Sequence, residues 1–330
     1  MLIELLQLLG GFVLLLGGGD FLVRGAAALA RRFGISAAVV GLTVVAFGTS
    51  APELVVCLFA VADGTPGVAV GNIVGSNIAN LGLLLGLTAI IRPVAITGEI
   101  VSREIPMMAL AGAVTLVLFM DGPLQGGRPN ALERGDGIVL LLLFGVFMHY
   151  TIVGVLRGRS SDILVAEAGE TPMAGAPPAI LPTLALVIAG SVGLAFGGDL
   201  LVDGAVALAT RWGVPEMVIA ATIIAVGTSL PELVTCVIAV RKDQGDLAVG
   251  NVVGSNLFNL LLVLGVTSTV APLPLPEHAL PDLIVMNGVA LLLLPIAVTR
   301  RKITRIEGTV FVTIFVGYMV WQATRFGGGG

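Results

Sequence analysis

Long apolar runs alternate with short polar breaks along the whole chain. Bounded by charge and by Pro or Gly, they fall near residues 2–30, 36–62, 68–91, 105–120 and 137–156, then 180–210, 215–240, 247–270, 281–299 and 308–325. A spanning helix needs roughly 20 apolar residues, so the pattern predicts ten transmembrane helices. The first and sixth runs approach 30 residues, enough to span with strong tilt or overhang. The first run lacks a basic leader and a clear cleavage site, and so reads as a span, not a signal peptide. Arg157 to Pro178 is the longest polar stretch and splits the chain near its middle. The expected organisation is a five-span unit over 1–157, a cytoplasmic linker over 158–179, a second five-span unit over 180–326 and a Gly tail at 327–330.

Composition removes the competing classes. Of 330 residues, 56% are hydrophobic and 12% charged, with a mean hydropathy of +1.05. Soluble domains average about 25% charged, so a soluble enzyme or a disordered chain fits poorly. A net charge of −4 supplies no basic surface for nucleic acid. Lys and Arg set the orientation. With the N-terminus outside, 12 of the 17 fall on the inner side and four on the outer side, with Arg24 left within the first span. A multi-pass protein of the cell membrane with both termini outside is expected, its partners being the lipid bilayer and its ions. No protein partner can be inferred.

The chain also repeats itself. Residues 20–86 align without gaps onto 199–265 at a constant offset of 179, with about half the positions identical. The densest matches are GTSAPEL (48–54) with GTSLPEL (227–233), and AVGNIVGSN (69–77) with AVGNVVGSN (248–256). A unit of five spans is odd, so the second copy enters the membrane from the opposite side. That is the inverted-topology repeat of secondary transporters.

Within the repeat, Glu53 and Glu232 sit well inside spans two and seven, where a charge costs about 2.5–3.5 kcal/mol on insertion scales. No cation at mid-span pairs with them, which points to ion handling. Pro52 and Pro231 precede them and predict helix breaks near Ala46–Gly48 and Ala225–Gly227. Thr49, Ser50 and Glu53 then present oxygens at i, i+1 and i+4, as do Thr228, Ser229 and Glu232. Asn72, Ser76 and Asn80 share one face of span three, and Asn251, Ser255 and Asn259 mirror them in span eight. Ser76, Asn80, Ser255 and Asn259 read as ligands. Asn72, Asn77, Asn251 and Asn256 read as interhelical glue or as ligands. Gly71/Gly75 and Gly250/Gly254 have the spacing of close helix packing. A donor set made only of oxygen selects hard cations such as Ca²⁺ and Na⁺. Two carboxylates carry −2, which one Ca²⁺ or several Na⁺ would neutralise. An empty site would leave them uncompensated in a low dielectric, which favours obligatory antiport.

At these residues the chain resembles the cation/calcium exchanger superfamily, in its sodium/calcium exchanger branch. The resemblance runs the whole length, with GTSxPEL and GNxxGSNxxN in each half. It implies an all-α polytopic membrane protein of ten helices in two inverted five-helix repeats, with spans two, three, seven and eight forming the ion-binding core. Spans one and six would be the gating pair. It implies three Na⁺ sites and one Ca²⁺ site, held by Thr49, Ser50, Glu53, Ser76, Asn80, Thr228, Ser229, Glu232, Ser255 and Asn259, with the carbonyls of Ala46 and Ala225. The implied activity is Na⁺/Ca²⁺ antiport with no cofactor. H⁺/Ca²⁺ antiport on the same Glu pair is the alternative. Many relatives carry Asp where this chain has Asn259, so the site has two acids, which disfavours potassium dependence. The short linker leaves no room for regulatory Ca²⁺-binding domains.

Other features do not carry chemistry in this reading. Asp20 and Asp199 read as water-facing helix ends, with Arg24 at i+4 from Asp20. Cys57 and Cys236 read as small core residues. His149 and His278 lack repeat partners. The GTS hydroxyls lack the positioned His of a hydrolase, so an intramembrane enzyme is not expected.

Overall fold

A computed structural model describes residues 1–96, 98, 100–126, 129–167, 178–214, 225–276 and 279–327. The start of the expected seventh span (215–224), residues 168–177 of the expected linker, Arg128, His278 and the last three glycines lie outside the described residues. Among the described residues, nine helices are long and apolar enough to cross a membrane.

In the first half these are α1 (Leu2–Phe33), then α2 (Ala37–Val40) running through a π-helical turn, Gly41–Val45, into α3 (Ala46–Ala62). Next, α4 (Pro66–Ala79) passes through a second π turn, Asn80–Leu85, into α5 (Gly86–Ile91). A π turn at Ile100–Glu104 leads into α6 (Ile105–Leu118), followed by the short α7 (Asp121–Gln125) and then α8 (Arg134–Glu167). Because α8 continues to Glu167, the first ten residues of the expected linker prolong a helix.

The second half holds α9 (Ile180–Arg211), a single turn α10 (Ala225–Gly227), and α11 (Leu230–Arg241). Then α12 (Gly245–Leu257) passes through a π turn, Phe258–Val263, into α13 (Leu264–Val270). The chain ends with α14 (Leu280–Arg300) and α15 (Arg305–Gly327). Both long helices stop at the same repeat position. Gly34 caps α1 in the left-handed conformation at φ 62°, and Gly213 adopts φ 76° just past α9.

The core lies along α4 and α12. Along α12 every residue from Leu247 to Leu257 is buried, and Ile73, Val74 and Ile78 of α4 are as deeply enclosed. By contrast α1 and α9 expose Leu9, Phe12, Ile188 and Phe196, as lipid-facing helices do. Helices satisfy their own backbone in lipid, so such exposure is apolar contact with the bilayer.

These two helices run antiparallel with their backbones touching. A Cβ on Gly18 would lie 2.7 Å from the Leu194 nitrogen, and one on Gly190 would lie 2.5 Å from the Leu22 nitrogen. Gly11 and Gly197 meet in the same way. Gly11 and Gly18 correspond to Gly190 and Gly197 under the 179-residue offset, so the contact maps onto itself.

Most connections at the helix ends pair across the halves, the Arg325–Asp282 pair lying within the second. β1 (Val94–Ala95) joins β4 (Lys302–Ile303), while β2 (Ala131–Leu132) joins β3 (Leu273–Pro274), each pair antiparallel. Arg92 pairs with Asp243, Arg211 with Glu4 at 3.2 Å and Arg325 with Asp282 at 3.8 Å.

Candidate functional site

The motif Glu53 rides on α3, one turn beyond Thr49, and both side chains are buried. The expected break at Ala46–Gly48 does not occur. Ala46 is regular helix at φ −57°, ψ −43°, and α3 runs straight through Pro52. Pro52 lacks only its own N–H, so the bond lost is the one to the Gly48 carbonyl. The irregularity sits one turn earlier, in the π turn Gly41–Val45.

The second half does break. α10 ends at Gly227, Thr228 and Ser229 form a turn, and α11 restarts at Leu230 with Pro231 in its first turn, where a missing N–H costs nothing. The two halves therefore hold the same motif in different backbones. Thr49 is buried, whereas Thr228 is half-buried and faces a cavity.

Packed against α3 are α4, α12 and the Phe258–Val263 turn. The Thr49 hydroxyl lies 3.3 Å from both the Ala46 carbonyl and Asn251 Oδ1, and 3.4 Å from Ser255 Oγ. One hydroxyl proton serves only one of the two carbonyl acceptors, while either hydroxyl can donate between Thr49 and Ser255. Asn80 and Asn259 each begin or lie in a π turn and reach across the halves. Asn80 donates to Asn256 Oδ1 at 3.0 Å, and Asn259 donates to Asn77 Oδ1 at 3.1 Å. Asn256 and Asn77 donate in turn to the sulfurs of Met108 and Met286. Asn72 and Asn251 donate to Cys57 and Cys236, whose thiols reach the carbonyls of Ala69 and Ala248. The side-chain amides of Asn72, Asn77, Asn251 and Asn256 are thus bonded within the protein, and the two cysteines are buried.

What remains is a set of oxygens with nothing to bond. Among the described residues, Ser50 Oγ, both Glu53 oxygens, Ser76 Oγ, Asn80 Oδ1, Ser229 Oγ, both Glu232 oxygens and Asn259 Oδ1 are buried without a hydrogen-bond partner. Each unmet buried polar atom costs roughly 1–3 kcal/mol. These nine belong to residues expected from the sequence to be ligands; other such buried oxygens, Thr267 Oγ1 and Gln322 Oε1 among them, lie outside that set. Glu53 and Glu232 are 2% and 1% exposed and lie within electrostatic range of each other. Among the described residues, no group of three or more His, Cys, Asp and Glu could hold a metal. Any ion here would meet two carboxylates, hydroxyls and amide oxygens.

A cavity of about 260 Å³ reaches Glu53. Its walls are Pro52, Glu53 and Val56, the Gly227–Thr228 break with Pro231, and the α9 residues Ala195, Gly198, Asp199, Val202 and Asp203. On the repeat-related side, α1 is shut against α11. A Cβ on Gly19 would meet Ile238 at 2.8 Å and Val234 at 3.1 Å, and Leu22 and Val23 are buried. Sequence reading set Asp199 aside as a helix end, although it lines the same cavity as Glu53. Its signal was the i, i+4 acid pair with Asp203. Asp20 forms the expected pair with Arg24 and also contacts Lys242, which the sequence did not suggest.

Known proteins share this arrangement. The family profile for sodium/calcium exchanger protein matches residues 3–153 and 182–324. The putative antiporter CaxA of Alkalimonas amylolytica is 37% identical over 96% of this chain and 98% of its own length. The sodium/calcium exchanger MaX1 of Methanosarcina acetivorans is 32% identical over 96% of this chain and 98% of its own. The solved structure of the sodium-calcium exchanger NCX_Mj, soaked with Na⁺ and Sr²⁺, superimposes with a TM-score of 0.80 at 31% identity, covering 97% and 98% of the two chains. With matches spanning both halves and the doubled motif intact, this all-helical, multi-pass membrane protein belongs to the sodium/calcium exchanger family.

Proposed function

We propose that this chain exchanges Na⁺ for Ca²⁺ by alternating access, through one oxygen-lined site shared by its two halves. The observation that carries this reading is the set of nine buried oxygens without a hydrogen-bond partner among the described residues, two carboxylates included, with a cavity that reaches Glu53. Unmet acceptors in a low dielectric call for a cation, and two carboxylates match the charge of one Ca²⁺ or two Na⁺. The ligands in this reading are Thr49, Ser50, Glu53, Ser76, Asn80, Thr228, Ser229, Glu232, Ser255 and Asn259, with the carbonyls of Ala46 and Ala225.

The same reading takes the chain as ten spans in two inverted units, 1–157 and 180–326, joined by a cytoplasmic segment. Contacts at the helix ends support the count. Loops that ten alternating spans would bring to one side are the ones that pair: 94–95 with 302–303 on the inside, and 131–132 with 273–274 on the outside. The Arg211–Glu4 and Arg325–Asp282 pairs then lie outside with the termini, and Arg92–Asp243 lies inside. The cavity beside Asp199 opens outward.

In the mechanism, α1 and α9 act as the gate. Their glycine-to-glycine contact makes them one body that leans on the core formed by spans two, three, seven and eight. At present a cavity lies between α9 and Thr228, beside a contact of Val202 with Gly227, while α1 is closed on α11. Shifting the pair would close the first gap and open the second, exposing the same oxygens to the inside. An empty site leaves two carboxylates uncompensated, which opposes that shift and couples the two ions.

The test is Ca²⁺ uptake into Na⁺-loaded proteoliposomes, with Na⁺, K⁺, choline or a pH gradient as the only driving condition. Uptake is expected with an outward Na⁺ gradient and is lost in Glu53→Gln and Glu232→Gln. Uptake driven equally by a pH gradient without Na⁺ would replace Na⁺ coupling with proton coupling. Full-rate efflux with no counter-cation would refute antiport.

A further inference from the structure

The repeat relation makes the two mouths of the path electrically unlike. Asp20, Arg24 and Lys242 correspond to Asp199, Asp203 and Asp63 at the 179-residue offset. At the closed mouth, Arg24 Nε lies 2.8 Å from one Asp20 oxygen and Lys242 contacts the other. Asp20 is therefore neutralised twice. At the open mouth the place of Arg24 is taken by an acid. Asp199 and Asp203 stand four residues apart on one face of α9, and both are exposed. Among the described residues neither has an ion pair. Both line the cavity whose inner end is Glu53, a side chain 2% exposed with neither oxygen bonded.

We propose that Asp199 and Asp203 form an entry site for hydrated hard cations, divalent above monovalent, at the open mouth in front of Glu53. The proposal rests on the reading of Glu53 as an ion ligand. Two like charges at i, i+4 repel each other, and a cation held between them relieves that repulsion. A cleft lined by one sign of charge with low-dielectric walls focuses the field and raises the local cation concentration. Attraction scales with ion charge, so Ca²⁺ gains twice what Na⁺ does. Further in, Glu53 supplies the next carboxylate, and the ion passes from a hydrated site to a dehydrating one. Among the described residues the other mouth has no counterpart, because Arg24 and Lys242 cancel Asp20. Capture from dilute solution is thus built into the open face.

The experiment is initial Ca²⁺ uptake by Na⁺-loaded membrane vesicles of both orientations, measured against Ca²⁺ concentration at several choline chloride concentrations. For Asp199→Asn/Asp203→Asn, the half-saturating Ca²⁺ concentration at low ionic strength is expected to rise roughly three- to tenfold. The rise appears in one vesicle orientation only, with the maximal rate kept. The salt dependence of that constant flattens in the same orientation. Asp199→Glu/Asp203→Glu keeps the charge and the wild-type behaviour, while Asp203→Arg builds an Asp20–Arg24 type of pair and behaves like the double amide. An unchanged constant in both orientations overturns the proposal, as does an equal rise in both or a fall in maximal rate alone. If the double amide does not accumulate, single Asp203→Asn carries the test with the same outcomes. Normal transport by Glu53→Gln would instead sink the underlying reading of the central site, whatever the vestibule variants do.

Discussion

The contact between α1 and α9 offers a test with an internal control. A Cβ added at Gly18 would fall 2.7 Å from the Leu194 nitrogen and 2.9 Å from the Gly190 oxygen. That is about 0.7 Å short of the 3.4 Å at which contact becomes ordinary. The opposing atoms are backbone, so no side chain can swing aside and the helices must part. A gap of about 0.5–1 Å forfeits a quarter to a half of each affected dispersion contact, and overpacking of this kind costs roughly 1–3 kcal/mol. Gly17, one residue earlier on the same helix, has nothing within 4 Å of a Cβ. Gly17→Ala is therefore neutral, or stabilising by up to about 1 kcal/mol through helix propensity. Thermal unfolding of the purified protein in detergent should show Gly18→Ala lower than Gly17→Ala by about 2–6 °C, with slower exchange in proteoliposomes. Gly190→Ala should behave like Gly18→Ala, since its Cβ meets the Leu22 nitrogen at 2.5 Å. Equal melting temperatures and rates for Gly17→Ala and Gly18→Ala would refute the close backbone contact and the single-body gate built on it.

Three further outcomes are expected. Replacing Asn77 by Leu leaves the Asn259 amide without its acceptor. It should lower stability by about 1–3 kcal/mol and weaken Ca²⁺ binding by calorimetry; Asn256→Leu should do the same through Asn80, and unaltered binding in both would remove their holding role. Asn259→Asp adds a third buried carboxylate beside Glu53 and Glu232, and should tighten divalent-cation binding relative to Na⁺ in competition assays; a looser divalent site would count against direct contact at this position. Cys57 and Cys236 are fully buried, so maleimide should label neither until the protein unfolds, and rapid labelling of the folded protein would contradict their packing.

Much of this was legible in the sequence because membrane burial leaves few readings open. Twenty consecutive apolar residues in lipid read as a helix, since only helices and closed barrels satisfy the backbone there and barrel strands alternate with polar positions, and a carboxylate among them needs a reason. Glu53, Glu232 and the Ser and Asn oxygens therefore stood out as candidates without coordinates, and nine of their oxygens are buried without a partner among the described residues. The helix break was read less well. Pro52 and Pro231 stand in the same motif, yet α3 runs through the first and α11 starts at the second. Proline removes one bond wherever it stands, and neighbouring helices decide whether the chain bends there.

By itself, then, the sequence determined the apolar helices, the duplication and the family, and it named candidate ligands. Tertiary structure decided which side of that site is open. Two nearly equal halves carry no instruction on which one bends, because one motif can satisfy its backbone in either form. Packing breaks the tie: α1 is closed on Ile238 and Val234, a cavity is left between α9 and Thr228, and only then do Asp199 and Asp203 share a cavity with Glu53. Which residues hold charge is a local property, set by each side chain. Which of them faces water depends on how distant helices lean, and that is fixed only when the two halves are packed together.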